Sequence, residues 1–239
     1  MKARFHVAAH LAPGALIELP EAAAHHALRV LRLGEGDALT LFDGKGGQWQ
    51  ASLLKQGRVH IDGFEDIDRE SPLQVTLLQC LPAADKMDYI VQKCVELGVS
   101  AIVPVIARRS VVRLSGERMA RRVQHWQAVA VAACEQCGRN RVPEVAGLSE
   151  LPAALAAAAA AGGARYMLSP QADRALRTLP APDGPLTLLV GPEGGFEEAE
   201  LRAAQSAGFA ALRLGPRVLR TETAGAAALA AMQTLWGDF

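Results

Sequence analysis

Two short segments in the C-terminal third hold residue types whose spacing suggests chemistry. Val190-Gly191-Pro192-Glu193-Gly194-Gly195-Phe196 follows an apolar run and precedes a helical pattern opened by Glu197, Glu198 and Glu200. In an open α/β sheet, ligands bind at the carboxyl ends of strands, where loops lead into helices. Glycines at such a place let the backbone approach a flat ligand closely and accept positive φ. An ordinary glycine-rich turn accounts for the same residues, and on the glycines alone both readings stand. The second segment, Leu214-Gly215-Pro216-Arg217-Val218-Leu219-Arg220-Thr221-Glu222-Thr223-Ala224, also ends a strand pattern in a glycine turn. Thr221 is placed to cap the helix that follows. Capping leaves unexplained why Arg217, Arg220 and Glu222 crowd the edge of a sheet.

Other familiar constellations are excluded or weak. No G-x-G-x-x-G occurs, because Trp49 stands where Gly44-Lys45-Gly46-Gly47 would need another glycine, and no G-x-x-x-x-G-K-[ST] occurs. A Rossmann cofactor and a P-loop nucleotide are therefore disfavoured. Cys134-x-x-Cys137 is a lone pair in a helical pattern, with Cys80 and Cys94 apart from it, whereas zinc sites take four ligands at paired spacings, so no metal is expected. His25 and His26 are adjacent and cannot share a helix face. Trp49, Trp126 and Trp236 are scattered, and core packing explains them.

The elements that must position the two glycine segments follow from periodicity. Residues 1–72 alternate short apolar runs (15–19, 38–42, 48–54, 59–64) with turn signals such as Pro13-Gly14, Asp43-Gly44 and Asp62-Gly63. Short strands at this spacing predict a small β-barrel, with one short helix over 25–33. An acidic stretch, 65–70, then leads through Ser71-Pro72 as a linker. From Leu73 strand and helix patterns alternate: strands at 73–81, 101–106, 164–169, 186–190 and 210–214, and helices near 87–97, 116–137, 151–161, 197–207 and 221–236. Such alternation predicts an α/β domain over 73–239 around a parallel sheet. The last helix is almost wholly apolar from Ala224 to Leu235, so it must be buried on all sides. A second subunit could supply the missing cover, which predicts a homodimer through this helix.

Composition narrows the class. The chain has 239 residues, half of them hydrophobic, and 25 basic residues balance 25 acidic ones. The most apolar run, near Ala153–Ala161, stops at Gly162-Gly163 and is too short to span a membrane. The N-terminus lacks the apolar core of a secretory signal, and four cysteines make no disulfide framework, so a cytoplasmic location is expected. Neutrality hides one basic block. Residues 108–141 carry Arg108, Arg109, Arg113, Arg118, Arg121, Arg122, Arg139 and Arg141 against Glu117 and Glu135, a net charge of +6. Arginine suits bidentate phosphate contact, although a solvated helix face would read the same.

The glycine segments, taken together, closely resemble the signature of SPOUT-type RNA methyltransferases. The specific likeness is to the family that methylates N3 of a uridine in 16S ribosomal RNA, the RsmE family. His25-His26-Ala27-Leu28-Arg29-Val30-Leu31-Arg32, Lys93-Cys94-Val95-Glu96-Leu97-Gly98-Val99, Arg108-Arg109-Ser110 and Glu135-Gln136-Cys137-Gly138-Arg139 resemble further motifs of that family. The likeness runs over essentially the whole chain. It implies a PUA-like β-barrel domain over 1–72, then a SPOUT domain with a deep trefoil knot, acting as a dimer on the 30S subunit.

The same resemblance implies S-adenosylmethionine as cofactor, held by Leu168, Val190, Gly191, Pro192, Glu193, Gly194, Gly195, Leu214, Gly215, Leu219 and Thr221. The attacking imide nitrogen is protonated at neutral pH, so a carboxylate must accept its proton and a cation must stabilise the anion. Glu222 and Arg220 are the candidates, with Arg139 supplied by a partner subunit. An ion pair at a helix start would explain Glu222 equally, and phosphate contact Arg139. His25, His26, Arg29, Arg32, Lys86, Lys93, Arg108, Arg109 and Arg113 are the candidate RNA contacts. A SPOUT enzyme with another target, such as a ribose 2′-OH, and a noncatalytic RNA-binding protein are the alternatives.

Overall fold

The computed structural model describes residues 2–83, 86–110 and 116–239. The chain divides into two compact units, residues 1–70 with 131–142, and residues 71–130 with 143–239.

The first unit is built on a five-stranded sheet of β1 (Ala3–His6), β2 (Leu16–Glu18), β3 (Ala38–Phe42), β4 (Gln48–Leu53) and β5 (Arg58–Glu65), in the order β1-β3-β4-β5-β2. β1 pairs with β3 in parallel, and the other pairs are antiparallel. Period-two alternation sends Leu39, Leu41, Ala51, Leu53, Val59 and Ile61 into one core with Phe5 and Ala27. β1 escapes sequence reading because four residues beginning with an alanine and an arginine give no alternation to follow. The helical piece is α1 (Glu21–His25), which runs into one π-helical turn over His26–Val30, earlier than the expected span. His25, His26, Arg29 and Arg32 are all exposed there, beside Val30 at 60% exposure. The acidic stretch after β5 is not a plain linker. Gln48 and Gln50 donate to Glu65, Asn140 Nδ2 donates to the Ile67 carbonyl, and Glu70 receives Arg139.

The second unit alternates as expected: β6 (Val75–Cys80), α2 (Lys86–Glu96), β7 (Ala101–Ile106), α3 (Glu117–Cys137), β8 (Glu144–Val145), β9 (Ser149–Glu150), α4 (Leu151–Ala161), β10 (Ala164–Leu168), β11 (Leu186–Val190), α5 (Glu198–Ser206), β12 (Ala210–Leu212) and α6 (Thr221–Trp236). α3 starts in this unit, and its last residues, from Val131, belong to the first. All strand pairs here are parallel, in the order β12-β10-β11-β6-β7-β8, with β9 also on β7. Every residue of β11 is buried, which is why its sequence is apolar apart from Thr187. Winding proceeds outward from β6 to β7 and β8, then returns to the other side, where β10, β11 and β12 lie. Such a reversal is where open sheets place their ligands.

α6 is covered on one side within the chain. It buries one stripe, Thr221, Gly225, Ala228, Leu229, Met232 and Gln233, at helical spacing. Ala226, Ala227, Ala230 and Ala231 are only half-buried and Leu235 is 46% exposed. A helix laid on one layer covers one stripe, so within a single chain it is not enclosed all round. No helix among the described residues is long and apolar enough to cross a membrane.

Candidate active site

β10, β11 and β12 are parallel and neighbouring, so the loops leaving them emerge together. These loops enclose a cleft of about 590 Å³. In the first loop Gly195 has φ +67°, a conformation that a side chain disfavours. The Phe196 ring lies over Gly191 so closely that a Cβ there would stand 2.9 Å from it. Arg109 Nη1 donates to the Gly194 carbonyl at 2.9 Å, holding the loop from outside. The acids that open α5 form a capping box: the Glu197 side chain accepts an amide of the first turn, and the Glu197 amide donates to Glu200 Oε2 at 2.8 Å.

The second loop brings Leu214, Gly215, Arg217, Val218 and Leu219 to the same cleft. Thr221 does not cap α6. Arg220 occupies the cap position without a side-chain bond, and Thr221 is the first helical residue. Its hydroxyl instead donates across the sheet end to the Gly191 carbonyl at 2.7 Å. Capping is done from the residue before the helix, and Thr221 lies one position past it, inside the first turn.

Charge gathers at the cleft in one cluster. Lys86 Nζ lies 3.0 Å from Glu193 Oε1 and 3.3 Å from Glu222 Oε2. Arg220 Nη1 is 4.0 Å from Glu222 Oε1. The Ala83 amide also donates to Glu193 Oε1 at 3.0 Å. Burial pulls the Glu193 carboxyl up, but the bonds from Lys86 and from backbone amides outweigh it and leave the group below its ordinary value. The hydrogen bond to Glu193 raises the Lys86 ammonium against a smaller opposing effect of burial, with Glu222 adding to the rise.

The eleven residues proposed for cofactor contact all line this cleft, as do Arg220, Lys86 and Arg109. Glu222 sits beside its wall with a side chain 16% exposed. Ser169, Gln171, Phe196 and Arg213 also line it. Sequence reasoning passed over Ser169, Gln171 and Arg213 because nothing in their spacing marks them. Arg139 behaves otherwise. It belongs to the first unit, and its guanidinium is buried against Glu70, with Nε 2.9 Å from Oε2. In this chain it ties down the segment after β5. Lys93 pairs with Glu96 at 2.8 Å, one turn away on α2. Arg108 is exposed and offers its amide to Glu200, while Arg113 lies outside the described residues. Cys134 is buried, and burial pushes its thiol up to about 12. Among the described residues no three His, Cys, Asp or Glu side chains are grouped to hold a metal.

A cleft walled by glycine turns at a winding reversal, beside a Lys–carboxylate cluster, defines an α/β enzyme domain joined to a small β domain. The pattern described as an RNA methyltransferase domain matches residues 69–233, and that of the RNA methyltransferase PUA domain matches 19–61. The chain belongs to this RNA methyltransferase family, and its architecture is a PUA-like β domain followed by a SPOUT-type methyltransferase domain. Among relatives, the ribosomal RNA small subunit methyltransferase E of Mycobacterium tuberculosis is 35% identical over 88% of this chain and 83% of its own length. A solved ribosomal RNA small subunit methyltransferase E from Neisseria gonorrhoeae, bound to S-adenosyl methionine, is 42% identical with a TM-score of 0.92 over 100% of both chains. A methyltransferase from Legionella pneumophila, in complex with the cofactor SAM, is 37% identical with a TM-score of 0.95 over 100% of both.

Proposed function

We propose that this chain binds S-adenosylmethionine in the cleft and transfers its methyl group to N3 of a specific uridine in small-subunit ribosomal RNA, on the assembled 30S particle in the cytoplasm. The observation that carries this reading is the cleft itself. Its wall combines the apolar side chains of Leu168, Val190, Leu214 and Leu219 with backbone exposed at Gly191, Gly194, Gly195 and Gly215. A flat adenine requires apolar faces plus backbone groups at its edge, and a volume of about 590 Å³ suits a ligand of this size. The residues present therefore fit the cofactor, which when bound supplies an electrophilic methyl on a sulfonium. The relatives named above are described as acting on ribosomal RNA or as binding this cofactor, which supports the same reading.

Within it, Glu222 accepts the N3 proton of the uridine, and Lys86 and Arg220 stabilise the negative charge that develops. At rest Lys86 pairs directly with the Glu222 carboxylate at 3.3 Å. Phosphates are met by Arg108, by the exposed arginines of α3 and by the basic face around His25, His26, Arg29 and Arg32. This makes RNA affinity fall steeply with salt. The half-buried alanines and Leu235 of α6 meet the same helix of a second copy.

The test is methyl transfer from labelled S-adenosylmethionine to 30S subunits that lack the modification, beside naked 16S RNA and 50S subunits, with nucleoside mass analysis. The expected product is 3-methyluridine in small-subunit RNA only. A methylated ribose, or transfer to 50S subunits, would reassign the target.

A further inference from the structure

Gln79 is the penultimate residue of β6, in register with Val190 of β11, and it is fully buried in a sheet whose neighbouring positions are apolar. A buried amide is unfavourable there unless its hydrogens are used. Both are used: Nε2 donates to the Cys80 carbonyl at 3.0 Å and to Thr221 Oγ1 at 3.1 Å. Thr221 Oγ1 then spends its single hydrogen on the Gly191 carbonyl at 2.7 Å. The Cys80 carbonyl accepts only, so the amide nitrogen must face this side, and the direction of the relay follows: amide to hydroxyl to carbonyl. The remaining oxygen, Gln79 Oε1, has no hydrogen-bond partner among the described residues and lies against α6, 3.5 Å from where a Cβ on Gly225 would stand. A methionine of similar length would fill this place without stranding an acceptor. The amide adds one thing that methionine lacks, a pair of donors aimed at Cys80 and Thr221.

We propose that Gln79 is a positioning residue of the cofactor cleft, acting through the Thr221 hydroxyl on the Gly191 carbonyl. The three joined elements are the end of β6, the loop after β11 and the first turn of α6. Gly191 opens the cofactor loop beneath Phe196, and Thr221 stands between Arg220 and Glu222. One relay therefore sets the cofactor wall and the proton-accepting group together. The proposal rests on the reading of the cleft as the S-adenosylmethionine site, and its test separates the two.

S-adenosylhomocysteine is titrated calorimetrically into the full-length wild type and into Gln79→Met, Thr221→Val, Thr221→Ser and the Gln79→Met/Thr221→Val double variant. Melting temperatures and steady-state methyl transfer to 30S subunits are measured for each. Gln79→Met and Thr221→Val each weaken binding about tenfold, and KM for S-adenosylmethionine rises by about the same factor with a smaller change in kcat. The double variant binds no more weakly than Thr221→Val alone, because both changes break one chain of bonds. Thr221→Ser, which keeps the hydroxyl, restores binding to within about twofold. A folded Gln79→Met variant with wild-type affinity, or losses that add in the double variant, overturns the relay. If Gln79→Met does not fold, the Thr221→Val and Thr221→Ser pair decides: equal affinities overturn the proposal, and rescue by serine supports it. Wild type that fails to bind S-adenosylhomocysteine overturns the cofactor reading itself.

Discussion

Lys86 Nζ lies 3.3 Å from Glu222 Oε2, so the first turn of α2 is tied to the first turn of α6, and the same ammonium holds Glu193 of the cofactor loop at 3.0 Å. Lys86→Met removes that tie. The Glu193 carboxyl sits below its ordinary value, so its contribution to stability is present at neutral pH and disappears as pH falls through the folded value. Lys86→Met therefore melts at a lower temperature than wild type at neutral pH, and the two curves converge in acid. Thermal melts over roughly pH 3 to 8 check this. A gap that stays constant through the acid range would show that the pairing with Glu193 does not govern it.

Glu222→Gln keeps the size of the side chain but removes the proton acceptor. Cofactor binding stays near wild type while methyl transfer falls about a hundredfold. Single-turnover transfer and S-adenosylhomocysteine titration measure the two separately. A full transfer rate with normal binding would remove Glu222 as the base.

Gly191→Ala places a methyl 2.9 Å from the Phe196 ring, which has to leave its place. S-adenosylhomocysteine affinity is expected to drop at least about tenfold. Gly195→Ala meets no atom within 4 Å but must hold φ at +67°, a strain of about 1 kcal/mol that is read in denaturant melts. The two glycines thus fail for different reasons, one steric and one conformational.

Arg139 and Glu70 form a buried pair, with side chains 8% and 15% exposed. Arg139→Met leaves a carboxylate without its partner and costs about 3 kcal/mol. Adding Glu70→Met recovers part of this loss, because the stranded charge goes with it. Chemical denaturation of both variants checks the prediction. A stable Arg139→Met protein with abolished methyl transfer would return the residue to the reaction.

The half-buried alanines of α6 predict a dimer. Light scattering on the eluting protein is expected to give twice the chain mass, and Ala227→Glu to give a single chain. A monomeric wild type would leave this apolar face without its proposed cover.

Much of the scaffold was legible in the residues alone. The runs 38–42, 101–106, 151–161, 186–190 and 221–236 coincide with β3, β7, α4, β11 and α6, because apolar periodicity and glycine boundaries are local signals. The two glycine turns were found in the same way, and the cleft gathers both. Short or irregular pieces were not legible. β1 and β9 carry too few residues for a period to show, and the π-helical turn after α1 has the spacing of an ordinary helix.

The sequence by itself determined that this is an alternating α/β chain with a small β domain before it, and it marked where backbone must come close to a ligand. Only the tertiary structure decided partners. Thr221 read as a helix cap until Gln79, 142 residues earlier, and Gly191 were brought to its hydroxyl. Arg139, a candidate reactive cation, is set against Glu70, and Lys86, a candidate RNA contact, against two carboxylates, pairings that no spacing in the sequence marks. The physical reason is one of range. Propensity and periodicity act over a few residues, whereas a buried hydrogen or charge must find whichever group the packing of distant strands sets beside it.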